Sequence, residues 1–390
     1  GAPKGSFALQ LAVAELAREL NIDHLELVEK NRVREGAMLE ILRCLGEGRE
    51  GKPEKVMSCG LGPALKRGKE LLEWGKKIDD KSSDWKTGKG FAIIQQGSGL
   101  PGLDSANAEI KMLSDGTFLL LSGGTDLGTG LDTVSVKFAA ETLCVDMDKV
   151  SIIAADTDIT PFDVGAYASS GTYFSGGAAH NATKDLREKI LNIASEILGD
   201  KKEDLKLVYP GKVEGKSKTI SFKEIAHYSE TGTGCGQLIG LGHFTADKAS
   251  FPYGAHFCQA AVNIRTGEVK IQKYFALQDC GTPVNPELAL GQIYGGSLKT
   301  IGHSLYEQMI YDENGKCLNP NFLDYKIPMI NDLPEVFKAE LVFTDDPYGP
   351  YGSKSVSEIS CNGAAPCIAE AIYDAVGIWM RTWPFTPEKI

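Results

Sequence analysis

The chain has 390 residues, 42% of them hydrophobic and 24% charged, and carries a net charge of −11. That length allows two or three domains around a sizeable core, and the acidic field disfavours nucleic acid and anionic membrane surfaces as partners. Nine cysteines, odd in number and without C-x-x-C spacing, read as the reduced thiols of a cytoplasmic protein rather than a disulfide frame or a zinc site.

The opening GAPKGSFALQ lacks Met and runs at once into a helical pattern, as a piece of a larger polypeptide would. From Phe7 onward, Leu9, Val13, Leu16 and Leu20 recur at helical spacing, and Asp23 is placed to cap a second helix in LELVEKNRVREG. Residues 47–90 mix a helical stretch at 61–76 with polar, glycine-bearing segments, so a linker or lid is expected there. The expected division is a helical segment and linker over 1–85, then a region over 86–390 built from two α+β subdomains with interleaved segments.

FAIIQQGSGLPG, residues 91–102, reads as a strand entering G-x-G-x-x-G. A dinucleotide fingerprint needs a helix directly after its glycines, to set the pyrophosphate on that helix N-terminus. Here Asp115-Gly116 follows instead, flanked by alternating apolar runs, which is a hairpin signal. An NAD-binding dehydrogenase is therefore the weaker reading of this stretch.

Two later segments share a pattern: strand, glycine turn, strand, glycine-marked exit, helix. They are NAEIKMLSDGTFLLLSGGTDLGTG with DTVSVKFAAETL, and AAVNIRTGEVKIQKYFALQDCGTPVNPELALGQIYGGSLKTIGHSL. Between them the pattern predicts a strand over 150–154, a helix over 175–198, a charged loop over 199–220 and strands near 237–247. A strand over 336–343, a glycine-rich loop and a helix over 364–376 close the chain. The fold class is α+β, with mixed and antiparallel β-hairpins and packed helices.

Gly/Ser/Thr loops at 123–130, 165–177, 278–286 with 291–296, and 349–365 stand where strands meet helices. Each alone could be an ordinary turn, but together their small residues permit close backbone approach and amide nests for phosphates. Within the last loop, Glu358 is the only carboxylate between Asp346 and Glu370. It either favours the N-terminus of the helix that follows or serves as a general base in a partly apolar pocket. His180 and His256 are isolated, and histidines without ligand spacing are more often core or surface residues than metal ligands.

Taken in order, these motifs resemble the molybdenum hydroxylases, the xanthine dehydrogenase and aldehyde oxidase family, over the second half of their molybdopterin-binding subunit. GGTDLGTG is similar to the family's GGT-x-x-GQG loop, and SSGTYFSGGAAHNA to its Ser-rich loop and helix. QDCGTPVNPELALGQIYGG, NFLDYKIP and YGSKSVSEIS resemble its D-x-G-x-x-x-NP with GQ-x-x-GG, DY-x-IP and G-x-K-x-x-x-E blocks.

The resemblance implies hydroxylation of an N-heterocycle (purine-like) or an aldehyde with water-derived oxygen. Glu358 matches the general base, and Gln292 a glutamine near pterin and metal. Gly128, Thr129, Gly130, Ala168, Ser169, Ser170, Gly171 and Ser357 match cofactor-contacting segments. Tyr167 and Gly99 fall where the substrate pocket is expected, and no residue of the chain need ligate the metal. The implied cofactor is molybdenum–molybdopterin, in plain form or as the cytosine dinucleotide, with 2Fe–2S and FAD on partner domains or subunits. Implied partners are the N-terminal half of the molybdopterin subunit, those electron-transfer modules and a small-molecule substrate, with the isolated chain inactive. Two departures stand out: Thr129 replaces the usual glutamine, and Ser357 replaces the usual glycine before the glutamate. They leave open a noncatalytic scaffold as the alternative.

Overall fold

A computed structural model describes residues 1–44, 50–78, 84–231 and 234–390. In chain order the helices are α1 (Ala2–Glu19), α2 (His24–Asn31), α3 (Leu61–Leu71), α4 (Leu131–Leu143), α5 (Ser175–Leu198), α6 (Phe222–Glu230), α7 (Pro286–Leu305) and α8 (Ala364–Val376). The first strands are β1 (Met38–Leu39), β2 (Glu54–Lys55), β3 (Trp85–Gln95), β4 (Ser105–Met112), β5 (Phe118–Ser122) and β6 (Val150–Ala154). The remainder are β7 (Lys206–Val208), β8 (Lys212–Glu214), β9 (Thr219–Ser221), β10 (Ile239–Thr245), β11 (Tyr253–Asn263), β12 (Val269–Asp279) and β13 (Val336–Val342). They divide into two compact units, the first made of residues 1–96, 251–345 and 356–390, the second of residues 97–250 and 346–355.

In the first unit a four-stranded sheet runs β3-β11-β12-β13. The first two pairings are antiparallel and β12 pairs with β13 in parallel. Helix α7 makes the crossover that a parallel pair requires. On one face α8 and α7 build a core of Ala364, Cys367, Ile368, Ile293 and Ile301 against Ala92, Cys258 and Ala260. The other face holds a second core in which Leu61 and Leu65 of α3 join Phe91, Phe257 and Tyr253. Phe91 and Phe257 stack with centroids 5.3 Å apart.

The second unit repeats the plan. Its sheet runs β10-β4-β5-β6, antiparallel twice and then parallel, with α4 as the crossover between β5 and β6. The β4–β5 hairpin turns at Asp115-Gly116, where Gly116 has φ 86°. Helices α4 and α5 bury Val136, Ala139, Ala178, Ala182 and Leu186 against Ile110, Phe118 and Leu120.

Several expectations need correction. The buried stripe of α1 is Phe7, Gln10, Leu11, Ala14 and Ala17, while Leu9, Leu16 and Leu20 face solvent. Gln10 belongs inside because its side chain accepts from the Ile93 amide at 3.1 Å. Of the expected linker, residues 45–49 and 79–83 lie outside the described residues, but α3 is core: Leu61, Ala64, Leu65 and Leu72 are buried. The expected loop at 199–220 contains the three-stranded antiparallel sheet β7-β8-β9. Helix α6, absent from the sequence reading, starts from a capping box in which Ser221 Oγ accepts from the Glu224 amide while the Glu224 carboxylate accepts from the Ser221 amide. That S-x-x-E signal was present in SFKE.

Candidate active site

In the first unit, Glu358 opens a 3-10 turn over Glu358–Cys361 that lies on α7. Ser360 fastens it: its hydroxyl donates to the Ser357 carbonyl and is 3.3 Å from the carbonyl oxygen of Gln292. Thr300 Oγ1 donates to the Cys361 carbonyl at 2.8 Å. A Cβ on Gly296 would stand 2.3 Å from Ser360 Oγ, so only glycine lets the turn seat this closely. One serine thus ties the turn that Glu358 opens to the Gln292 carbonyl. Because Ile359 and Ser360 point inward, the Glu358 side chain points out, exposed rather than set in the partly apolar pocket expected for it. Ser357 sits at φ −75° and ψ −61°, an ordinary helical geometry that needs no glycine.

Along the same helix, Gly291 and Gly295 are one turn apart, and a Cβ on either would meet nothing within 4 Å. The GQIYGG segment therefore offers bare helix backbone beside Gln292, which is room for a flat or bulky group.

The second unit carries the remaining candidates. After β5, Asp126 Oδ1 accepts from the amides of Gly128, Thr129 and Gly130 at 2.8, 2.9 and 3.0 Å, and Oδ2 from Asp132 N at 3.3 Å. Burial opposes ionisation of Asp126, but these amides outweigh it and hold its carboxyl below the usual range. The expected phosphate nest at 128–130 is therefore filled by the chain's own carboxylate. What the loop presents outward is the Leu127 side chain, the Gly128 backbone and the exposed Thr129.

The loop before α5 is different. Ala168 and Ser169 take φ 48° and 61°, consecutive left-handed residues that are not glycine, at a cost of about 1–2 kcal/mol each. Gly99 N donates to the Ala168 carbonyl at 2.7 Å, Ser355 Oγ donates to the Ser169 carbonyl, and Ser170 Oγ donates to the Gly165 carbonyl at 3.1 Å. Gly171 accepts from Gly176 N at 2.9 Å at the start of the helix. Helix α5 has 24 residues, no side-chain cap to its backbone and no acidic residue in its own first turn, but the Asp163 carboxylate accepts from Ser175 Oγ at 2.7 Å at its positive end, beside the serine-rich loop. Strain held by such over-determination is characteristic of a binding site.

Beside it, Tyr167 is exposed but its hydroxyl donates to Asp104 Oδ1, which pushes the phenol up to about 12. Asp104 is buried and also accepts from Leu100 N at 2.8 Å. Gly99, at φ 77°, packs so closely that a Cβ would lie 2.4 Å from the Phe174 ring. Tyr167 and Gly99 are brought together through Asp104, a residue the sequence reading missed; its signal was a lone acid inside the apolar and glycine run GLPGLDSA.

The two histidines do other work. His256 is fully buried with Nδ1 2.6 Å from Tyr274 OH, and burial pushes it down to about 3. His180 is pushed down to about 4 by burial and then by Lys184. Among the described residues no three His, Cys, Asp or Glu side chains are grouped to hold a metal ion.

The family model for the molybdopterin cofactor-binding domain matches residues 67–334. This chain belongs to the xanthine dehydrogenase family of molybdopterin-binding subunits. The probable hypoxanthine oxidase of Escherichia coli strain K12 is 53% identical over 393 residues, covering 100% of this chain and 41% of that protein. The putative xanthine dehydrogenase molybdenum-binding subunit of the same strain is 33% identical over 404 residues, covering 100% of this chain and 52% of its own length. This molybdopterin-binding chain therefore spans about half or less of the curated relatives it matches. Quinoline 2-oxidoreductase from Pseudomonas putida 86 superposes with a TM-score of 0.88 at 23% identity, over 99% of this chain and 51% of that one, a likeness of fold.

Taken each by itself, the two units present residues that suit contacts to a large anionic group: open backbone at Gly291 and Gly295 in the first, and in the second the serine-rich loop before α5, where Asp163 already accepts from Ser175 Oγ at 2.7 Å. Among the described residues no helix is long and apolar enough to cross a membrane.

Proposed function

We propose that this chain is the cofactor-binding portion of a molybdopterin-dependent hydroxylase that oxidises an N-heterocycle of purine-like type, or an aldehyde, with oxygen derived from water. The observation that carries the proposal is the Ser360 bridge, which ties the turn that Glu358 opens to the Gln292 carbonyl on α7 in a chain of this family. When bound, the molybdenum–molybdopterin group supplies a two-electron redox centre and the Lewis acidity that activates a water oxygen. In the net reaction that oxygen replaces hydrogen at carbon, and two electrons and two protons leave. Glu358 takes a proton as general base, its exposed carboxylate held at the start of a turn anchored to α7 by Ser360 and Thr300. Gln292, on the helix that carries this turn, would offer an amide donor and acceptor. Thr129, the glycines at 128 and 130, Ala168 to Gly171 and Ser357 contact the cofactor, in plain or cytosine-dinucleotide form, and Tyr167 with Gly99 lines the substrate side. Electrons leave through iron–sulfur and FAD modules on partner domains or subunits.

The test is molybdenum and pterin content, with turnover of heterocycles and aldehydes, in the assembled subunit and its Glu358→Gln variant. The expected outcome is unchanged cofactor content with kcat/KM lowered about 10²- to 10⁴-fold, the range of a lost general base. An assembled wild type without molybdenum would instead establish the scaffold role that Thr129 raises.

A further inference from the structure

Tyr167 is held by its own backbone and by one buried acid. Its amide donates to the Gly165 carbonyl at 3.2 Å, and its carbonyl accepts from Ser170 N at 3.0 Å. Asp163 Oδ1 accepts from Gly165 N at 2.9 Å, and the two residues after Tyr167 are the left-handed pair Ala168 and Ser169. The loop therefore fixes where the ring begins, and the hydroxyl at its far end donates to Asp104 Oδ1. Gly99 makes room for that acid, since a Cβ there would stand 3.0 Å from Asp104 Oδ2.

An exposed phenol needs no protein partner, because water satisfies both its donor and its acceptor positions. Tyr167 is 45% exposed, yet its one hydroxyl proton is given to Asp104, whose other oxygen accepts from Leu100 N at 2.8 Å. The same hydrogen bond keeps the phenol protonated through the neutral range, pushing it up to about 12. What the oxygen has left for a ligand is lone pairs alone. The carboxylate behind it polarises the O–H bond and makes those lone pairs better acceptors, as linked hydrogen bonds do. A ligand that meets Tyr167 with an N–H gains a hydrogen bond. One that meets it with a carbonyl oxygen or a bare ring nitrogen sets acceptor against acceptor.

We propose that Asp104 is a positioning residue that sets specificity through Tyr167: by taking the phenol proton it makes the ring an acceptor-only contact, which selects small heterocycles presenting an N–H donor over ligands presenting only an acceptor. The assignment rests on the reading above that Tyr167 lines the substrate side. It separates the two ligand classes left together there, since an aldehyde group has no such donor. Asp104→Asn reverses the contact. The Leu100 amide still requires the Asn oxygen, so the Asn nitrogen faces Tyr167 as a donor and frees the phenol proton for the ligand.

The test measures binding of 2-methylbenzimidazole, 1,2-dimethylbenzimidazole and acetophenone to the assembled subunit by titration calorimetry, in wild-type, Tyr167→Phe and Asp104→Asn forms. The first probe carries an N–H, and the other two offer only acceptors. Wild type is expected to bind the N–H probe about tenfold tighter than its N-methyl analogue, the effect of one hydrogen bond made or lost. Tyr167→Phe is expected to erase that preference. Asp104→Asn is expected to erase it too and to tighten acetophenone, whose carbonyl can then accept the phenol proton. Equal binding of the two benzimidazoles by wild type, or binding of neither, overturns the proposal. A preference that survives Tyr167→Phe comes from shape, and one that survives Asp104→Asn does not depend on the acid, so either result overturns it as well. A cooperative unfolding transition shows that each variant is folded, and Tyr167→Phe, which keeps the ring, carries the test should Asp104→Asn fail to fold. Calorimetry needs no turnover. A subunit with the N–H preference but without molybdenum or hydroxylation defeats the functional reading alone, whereas turnover without the preference defeats this inference alone.

Discussion

Asp104 shows how one side chain organises its surroundings. It is buried, and its two oxygens hold the Tyr167 hydroxyl and the Leu100 amide, joining the glycine loop at 97–102 to the strained segment at 168–169. Tyr167→Phe leaves a buried carboxylate short of a donor, which costs about 1–3 kcal/mol. Urea unfolding followed in the second unit should show that loss. If Tyr167 lines the substrate pocket, KM rises more than kcat falls, because the ring is kept and only its orientation is loosened. The same residue scale explains what was unreadable at 123–130. A glycine-rich loop has the composition of an anion nest, but Asp126 two residues ahead of Gly128 turns those amides onto itself.

At the scale of elements, the two units share a device. Each sheet has an edge strand with glycines at alternate positions, Gly88 and Gly90 on β3, Gly240 and Gly242 on β10, and a helix lies directly on them. A Cβ on Gly90 would stand 2.2 Å from the Cys367 carbonyl of α8, and one on Gly242 2.1 Å from the Ala178 carbonyl of α5. Gly90→Ala must push α8 away from the sheet and is expected to destabilise the chain by about 1–3 kcal/mol, an overpacking penalty, read as a lowered unfolding midpoint. Gly295→Ala predicts the opposite sign. It sits mid-helix with nothing within 4 Å of its would-be Cβ, so alanine should stabilise α7 by about 0.5–1 kcal/mol. If that bare face receives the cofactor, the same variant carries less molybdenum, and the split between higher Tm and lower metal content is the signature to look for. Unchanged molybdenum content would remove this face from the site.

For the whole molecule, pH dependence follows from buried histidines in both units. His256 is pushed down to about 3 and His180 to about 4, each by burial, from an ordinary value of 6.5. A histidine kept neutral by folding contributes stability that is fully present above about 6.5. That contribution is lost as pH falls toward the folded values, because the unfolded chain binds the proton first. The unfolding midpoint should therefore hold steady from pH 8 to 7 and decline between about 6.5 and 4, with His180→Gln flattening part of the slope. A midpoint that rises on acidification through this window would contradict it.

What the sequence by itself determined was local. The helices at 175–198 and 364–376 and the strand at 150–154 follow from periodicity and from flanking glycines and serines, which act within a few residues. The hairpin at Asp115-Gly116 follows from turn chemistry, and the order of short motifs indicates the family. Tertiary structure decided everything that depends on a partner surface. Helical spacing allowed two stripes on α1, and the sheet chose the one bearing Phe7 and Gln10, because the Ile93 amide needed an acceptor there. Long-range contact also decided that α3 is core and that Ser360 ties the turn that Glu358 opens to α7. Backbone propensity acts between neighbours, whereas burial is a property of what arrives from elsewhere in the chain.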